Sequence, residues 1–126
     1  PDSARAAIRA VTRADMNRQV NAVARWAMGL PSAQQKYGVV GFCWGGTASF
    51  NHAVASPAGL AASVVYYGSS PATETLRTVN VPVLGLYGGN DARVNNTIPA
   101  ADSALRALGR TFEARVFEGA GHGFLR

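Results

Sequence analysis

The sequence has a single cysteine, Cys43, among its 126 residues, so it can form neither an intramolecular disulfide nor a multi-cysteine metal centre. It has no apolar run long enough to span a bilayer, and arginines interrupt the N-terminal segment where the core of a signal peptide would lie. It also lacks a basic patch with interleaved aromatic residues, the pattern typical of nucleic-acid binding. These absences predict a cytoplasmic protein that binds neither membranes nor nucleic acids.

The charge that is present is mostly positive, with 12 lysines and arginines against seven acidic residues and a formal net charge of +5. Five arginines, at positions 5, 9, 13, 18 and 25, are spread along the first helical stretch. A solvated helix face is the ordinary interpretation of this spacing, and steering of anions is the alternative. With 48% apolar and 15% charged residues, the composition is that of a globular chain, and the length predicts one domain over residues 1–126.

The most informative stretch runs from Gly38 to Gly46 and reads Gly-Val-Val-Gly-Phe-Cys-Trp-Gly-Gly. An apolar run ends at Cys43, and two glycines follow before a helical pattern over 47–55. This pattern predicts a strand, a sharp turn and a helix, with the thiol at the turn and with Gly41 and Gly45 giving strand and helix room to approach. Such a turn is typical of the elbow that holds a nucleophile, and the start of the helix favours a thiolate over a thiol.

Apolar runs alternate with helical patterns along the rest of the chain, which predicts an α/β fold with about four parallel strands and flanking helices. A helix is expected over 3–29, either continuous or restarting near Thr12. Strands are predicted at 39–42, 61–67, 81–87 and 112–117, and a further helix at 98–108.

Three chemically reactive residues follow the first, third and fourth predicted strands: Cys43, Asp91 and His122. Functional groups gather at the carboxyl ends of parallel strands, and the order nucleophile, acid, histidine is that of the α/β-hydrolase triad. In that chemistry Cys43 attacks an acyl carbon, His122 transfers the proton and Asp91 orients the imidazole. The backbone N–H of Trp44 donates a hydrogen bond to the oxyanion. Taken singly, the cysteine could be a buried small hydrophobe, the aspartate a turn cap and the histidine an exposed loop residue. His52, inside the predicted helix, is expected to have a packing or helix-surface role.

Four motifs can be compared with known families: Gly-Phe-Cys-Trp-Gly-Gly at 41–46, Val-Tyr-Tyr-Gly at 65–68, Leu-Tyr-Gly-Gly-Asn-Asp at 86–91 and Gly-Ala-Gly-His-Gly-Phe at 119–124. Together they resemble the dienelactone hydrolase (carboxymethylenebutenolidase) family over about residues 12–126. The resemblance implies hydrolysis of an ester or lactone by Cys43, His122 and Asp91 through an acyl-enzyme, without a metal or organic cofactor. It also suggests that Arg126, four residues after the histidine, binds a substrate carboxylate; the alternative is a frayed C-terminal arginine.

Members of that family carry roughly another half-domain upstream, with the first strands, a second oxyanion amide and further substrate-binding residues. Without it the strand at 39–42 becomes a sheet edge, and an apolar edge strand is a template for pairing, so we expect a homodimer that covers this edge. Two functions stay open. One is a thiol hydrolase of small esters or lactones, for which the net positive charge and Arg126 favour an anionic substrate. The other is a weak or inactive hydrolase remnant that acts as a self-associating binding module.

Overall fold

Four parallel strands lie side by side in chain order in the computed structural model, which describes residues 2–125. The strands are β1 (Tyr37–Phe42), β2 (Leu60–Tyr66), β3 (Val83–Gly88) and β4 (Phe112–Phe117). The helices are α1 (Asp2–Ala10), α2 (Arg13–Met28), α3 (Trp44–Ala55), α4 (Ala92–Asn95) and α5 (Ile98–Ala107), with a 3₁₀ helix at Thr73–Thr78. The predicted α/β class with four parallel strands is confirmed.

The N-terminal helical region is interrupted, and its second helix starts after Thr12. The Thr12 side chain accepts a hydrogen bond from the Asp15 amide at 3.1 Å, and the Asp15 carboxylate accepts one from the Thr12 amide at 3.4 Å. This reciprocal capping box satisfies two amides that the start of a helix leaves without partners. The five arginines of the region are all exposed, as a solvated helix face requires. None of the described helices is both long enough and apolar enough to cross a membrane.

The described helices cover one face of the sheet. Helix α3 packs on β1 and β2, α5 packs on β4, and the 3₁₀ helix contacts both α3 and α5. The core lies between these helices and the sheet, and its largest side chains are fully buried: Phe50, Val65, Leu76, Val79, Val83, Tyr87, Val94 and Leu105. Successive strand residues point to opposite faces, and on the second face Val40 and Phe42 are 55% and 48% exposed.

Three large apolar side chains in or next to the helices are exposed: Val23, Trp26 and Leu108. Helix α2 packs mainly on α3, so it buries only Met16 and Ala24. Leu108 follows the last residue of α5, where the helix no longer holds it against the sheet. Helical periodicity therefore overestimates the buried face of a helix that has one neighbour.

Candidate active site

Cys43 lies at the turn between β1 and α3, with φ of 58° and ψ of −117°. A positive φ is unfavourable for a residue that carries a side chain, so the surrounding structure must hold it. The Cys43 amide donates to the Tyr66 carbonyl at 3.0 Å, and the Cys43 carbonyl accepts from the Thr47 amide at 3.2 Å. These bonds fix the cysteine at the carboxyl end of β1, and the predicted turn from strand to helix is confirmed.

Two glycines make this turn sterically feasible. A Cβ on Gly41 would overlap the backbone of Gly45, and a Cβ on Gly46 would overlap the carbonyl oxygen of Tyr66. A Cβ on Gly45 would meet nothing within 4 Å. The expectation that the turn needs Gly41 is therefore correct, whereas Gly45 supplies only its backbone and Gly46 is the second glycine that close approach requires.

Asp91 follows β3 and uses both carboxylate oxygens. Its Oδ1 accepts a hydrogen bond from the Val94 amide at 3.4 Å, which caps α4, and its Oδ2 lies 2.5 Å from Nδ1 of His122. The side chain is only 7% exposed. Capping of the turn and contact with the histidine are thus performed by the same carboxylate. Helix α4 itself was not predicted, because four residues are too few to show a helical period.

The loop after β3 is hydrogen-bonded to the loop after β4. The Asn90 amide donates to the Ala120 carbonyl at 2.9 Å, and the Asn90 side chain donates to the Gly119 carbonyl at 3.1 Å. The loops also approach closely, since a Cβ on Gly88 would lie 2.6 Å from the Gly121 carbonyl oxygen. The Gly-Gly-Asn-Asp motif therefore positions the histidine loop as well as the acid.

His122 connects the thiol to the carboxylate. Its Nδ1 contacts Asp91 Oδ2 at 2.5 Å, and its Nε2 lies 3.1 Å from Sγ of Cys43. The hydrogen bond to Asp91, followed by the one to Cys43, raises the pKa of His122 above its ordinary value, and partial desolvation opposes this rise. The structure thus brings together the three residues that the sequence places at separate strand ends.

A cleft open to solvent lies beside the thiol, and its volume of about 210 Å³ suits a small acyl or alcohol group. It is lined by Cys43, Trp44, Thr47, Tyr67, Ser69 and Arg93. Trp44 is 49% exposed and forms part of the wall. Tyr67 is 5% exposed with φ of 40°, and its ring lies 5.2 Å from the His122 ring in an edge-on arrangement.

Sequence reasoning did not single out Tyr67, Ser69 or Arg93 as site residues. The first two follow β2, whose carboxyl end lies between those of β1 and β3, so their position at or just after the end of a predicted strand was the available indication. Arg93 lies in α4, which the sequence pattern did not reveal.

Two other residues considered from the sequence stand apart from this cluster. His52 is fully buried, with Nε2 2.9 Å from the Tyr37 hydroxyl and Nδ1 3.2 Å from the side-chain oxygen of Asn17, so the packing role is confirmed. Arg126 lies outside the described residues. Within residues 2–125, no group of three histidine, cysteine, aspartate or glutamate side chains is arranged to hold a metal ion.

A parallel sheet with a turn of this kind after one strand, and with a carboxylate and an imidazole after two others, is the architecture of the α/β-hydrolases. Within that class the chain belongs to the dienelactone hydrolase family, whose family model matches residues 2–126. The resemblance stated from the motifs is confirmed.

Two bacterial relatives, both provisionally named carboxymethylenebutenolidase, give the degree of similarity. The chain is 36% identical to the Methylorubrum extorquens protein in an alignment that covers 90% of this chain and 43% of that protein. It is 34% identical to the Salmonella typhimurium protein in an alignment that covers 81% of this chain and 42% of that one. The chain therefore spans less than half the length of these relatives.

A crystal structure gives the same result for the fold. A provisionally assigned dienelactone hydrolase from Klebsiella pneumoniae matches with a TM-score of 0.83 at 33% identity. The match covers 93% of this chain and 53% of that chain. The four described strands and their helices thus correspond to about half of an α/β-hydrolase domain.

Proposed function

We propose that this chain hydrolyses small carboxylic esters or lactones, with Cys43 as nucleophile, His122 as general acid and base, and Asp91 as the group that orients the imidazole. The observation that carries the proposal is the series of contacts from Sγ of Cys43 to Nε2 of His122 and from its Nδ1 to Asp91, at 3.1 and 2.5 Å. A nucleophile within reach of a base that a carboxylate orients is the arrangement that acyl transfer needs. Membership of the dienelactone hydrolase family supports an ester or lactone as substrate.

In the first half-reaction Sγ of Cys43 attacks the carbonyl carbon of the ester, and the thiol proton passes to Nε2 of His122. A sulfur–carbon bond forms, and the carbonyl oxygen becomes an oxyanion. When this intermediate collapses, the bond to the leaving alcohol oxygen breaks and the imidazolium gives that oxygen its proton. The products of this half are an alcohol and a thioester on Cys43.

In the second half-reaction water attacks the thioester carbonyl while His122 takes a proton from that water. The sulfur–carbon bond then breaks, the thiol regains its proton from the imidazolium, and the carboxylic acid leaves. Asp91 assists both halves because each passes through an imidazolium, and the hydrogen bond that His122 donates to Asp91 is the main cause of the raised pKa of His122.

The oxyanion requires N–H donors, and we propose the Trp44 amide as one of them. Trp44 is the first residue of α3, and N–H groups in the first turn have no acceptor within the helix. The positive end of the helix dipole adds to this attraction. Because one missing donor costs on the order of 100- to 1,000-fold in rate, a site with a single donor is expected to turn over slowly.

The test is hydrolysis of p-nitrophenyl acetate under multiple-turnover conditions, beside Cys43→Ala and His122→Ala. We expect steady turnover that both variants abolish, because one removes the nucleophile and the other its base. Arg110→Gln is the matched control, since this exposed arginine precedes β4 at the opposite end of the sheet. Turnover no faster than in the variants, or a burst of one product per chain, would contradict the hydrolase and favour the remnant.

We also propose that two copies of the chain associate through the edge strand at 39–42. Within the described part of the chain β1 pairs only with β2, and Val40 and Phe42 are about half exposed on it. An apolar strand with an open edge is a template for pairing. If the chain is a catalytically inactive remnant, this self-association would be its function. Sedimentation at micromolar concentration is expected to show a dimer that Val40→Lys weakens; a monomeric unmodified chain would contradict the dimer.

A further inference from the structure

A second groove continues from the cleft beside Cys43 along helix α3. It has a volume of about 130 Å³, and it shares Trp44 and Thr47 with the cleft. The rest of its lining comes from the start of α2, from the two residues before that helix and from the next turns of α3: Val11, Thr12, Arg13, Met16, Ala48 and Asn51. A molecule held at the thiol can therefore extend into this groove without leaving the surface of the protein.

The polar side chains of the groove are already engaged in hydrogen bonds within the chain. The Thr12 hydroxyl accepts from the Asp15 amide at 3.1 Å and so caps α2. The Asn51 side chain donates to the Thr47 carbonyl at 2.9 Å, and the Thr47 hydroxyl accepts from the Ser69 amide at 2.9 Å. The groove therefore offers a ligand fewer polar partners than its composition suggests.

Apolar side chains form much of the remaining wall. Met16 is 7% exposed, whereas Val11 and Trp44 are 38% and 49% exposed. Arg13 is the charged residue of the lining and is exposed, and an arginine keeps its charged end in water while its methylene stem covers apolar surface. The groove is thus suited to a hydrocarbon chain.

The side of the cleft on which the groove opens decides which part of an ester it can hold. His122 has to give its proton to the leaving alcohol oxygen, so that oxygen lies towards the imidazole. The lining of the groove comes from α3 and the start of α2, and it includes no described residue of the loops that carry Asp91 and His122. The acyl substituent, on the other side of the carbonyl carbon, is therefore the part that reaches the groove.

We infer that this groove binds the acyl chain of the substrate while the carbonyl carbon lies at Cys43. The inference rests on the proposed function, and it narrows the substrate class to esters of unbranched acyl groups of medium length, such as hexanoyl. Between positions 44 and 51 helix α3 advances about 10 Å, so the groove is longer than an acetyl group needs. Each methylene that is fully removed from water favours binding about fourfold.

The test compares the rate constants for acylation of Cys43 by p-nitrophenyl hexanoate and p-nitrophenyl acetate, which have the same leaving group. Release of p-nitrophenolate gives each rate, and Cys43→Ala gives the background. Ala48→Leu adds bulk inside the groove, and Val11→Ser removes part of its apolar lining. Each is expected to lower the ratio of the hexanoate to the acetate rate constant about three- to tenfold, the effect of one or two partly buried methylenes.

Two matched controls make the same substitutions outside the groove. Ala55→Leu lies at the exposed end of α3, and Val23→Ser lies on the exposed face of α2. Neither residue lines the groove, so both variants are expected to keep the ratio of the unmodified chain. Val11→Ser adds no bulk, so it decides the case if Ala48→Leu does not fold.

An unchanged ratio in Val11→Ser and in folded Ala48→Leu would overturn the inference, and so would an equal loss in the two controls. Iodoacetamide, which alkylates Cys43 with loss of iodide, checks that each variant keeps a reactive thiol. Because the chain has one cysteine, the added mass counts the reaction at that sulfur alone. A thiol that iodoacetamide modifies but neither ester acylates would instead sink the proposed function itself, and with it the inference.

Discussion

The turn at Cys43 predicts opposite results for the same substitution at two glycines four residues apart. Gly41→Ala places a methyl group where the backbone of Gly45 already lies. Gly45→Ala places the same group in open space, in the first turn of α3. The substitution is the same at both positions, and each glycine lies two residues from Cys43 along the chain, so a difference between the variants reports the packing of β1 against α3.

The magnitudes follow from what each methyl group meets. Overpacking typically costs about 1–3 kcal/mol, and Gly41→Ala is expected at or above the upper end because the obstacle is backbone, which has no alternative rotamer. Gly45→Ala is expected to stabilise the chain by about 0.4–1 kcal/mol, because alanine restricts the unfolded chain and its helical conformation is compatible. The variants should therefore differ by roughly 3–4 kcal/mol, a large part of the about 5–15 kcal/mol typical of a domain.

Urea unfolding followed by circular dichroism measures this difference. With a slope of about 1–3 kcal/mol per molar urea, the midpoints are expected to lie about 1 M or more apart. The alkylation rate of Cys43 gives a second readout, since displacement of α3 in Gly41→Ala also moves the thiol away from the histidine. Unfolding midpoints within about 0.2 M of each other would refute the steric reasoning.

Three further predictions concern the two histidines and the loop that holds one of them. Asp91→Asn removes the main cause of the raised pKa of His122, so an NMR titration is expected to show a lower pKa than in the unmodified chain; an unchanged value would contradict the contact. Asn90→Ala breaks the side-chain bond to the histidine loop and is expected to cost about 1 kcal/mol of stability and to slow alkylation, whereas Asn96→Ala at the end of α4 should do neither. Burial lowers the pKa of His52, so its contribution to stability is complete above the unfolded pKa of about 6.5 and is lost as pH falls below it, by at most ~1.4 kcal/mol per pH unit; His52→Gln should flatten that slope in denaturation curves.

The parts of the fold that the sequence predicts best are those where a local pattern and the final packing agree. Strand β4 occupies the predicted residues 112–117, and of the two alternatives for the N-terminal helical region the structure shows the restart near Thr12. Helix α3 begins at Trp44, three residues before the predicted position 47. The prediction started late because Gly45 and Gly46 have low helix propensity. Contact with β2 overrides that propensity, since only a glycine at position 46 fits against the Tyr66 carbonyl.

The positions of the three reactive groups were predictable from the sequence, whereas the residues of the cleft around them were not. Cys43, Asp91 and His122 each follow a strand, and parallel pairing brings strand ends together whatever the loops do. Tyr67 and Arg93 reach the site through the conformation of the turns that hold them, one with a positive φ and one in a four-residue helix. Neither a single positive φ nor a four-residue helix produces a hydrophobic periodicity that could be recognised in the sequence.

The contacts described for the three reactive groups all lie within residues 37–125: the bonds of Cys43 to β2 and α3, the cap of α4 and the bonds between the two loops. The chain that spans less than half of its relatives thus contains what orients the thiol, the imidazole and the carboxylate. Alkylation of Cys43 needs only that orientation, whereas repeated turnover also needs donors for the oxyanion and walls for the substrate. Rapid alkylation together with a single burst of product would therefore mean that the reactive geometry is built by these strands alone and that sustained hydrolysis depends on surfaces beyond them.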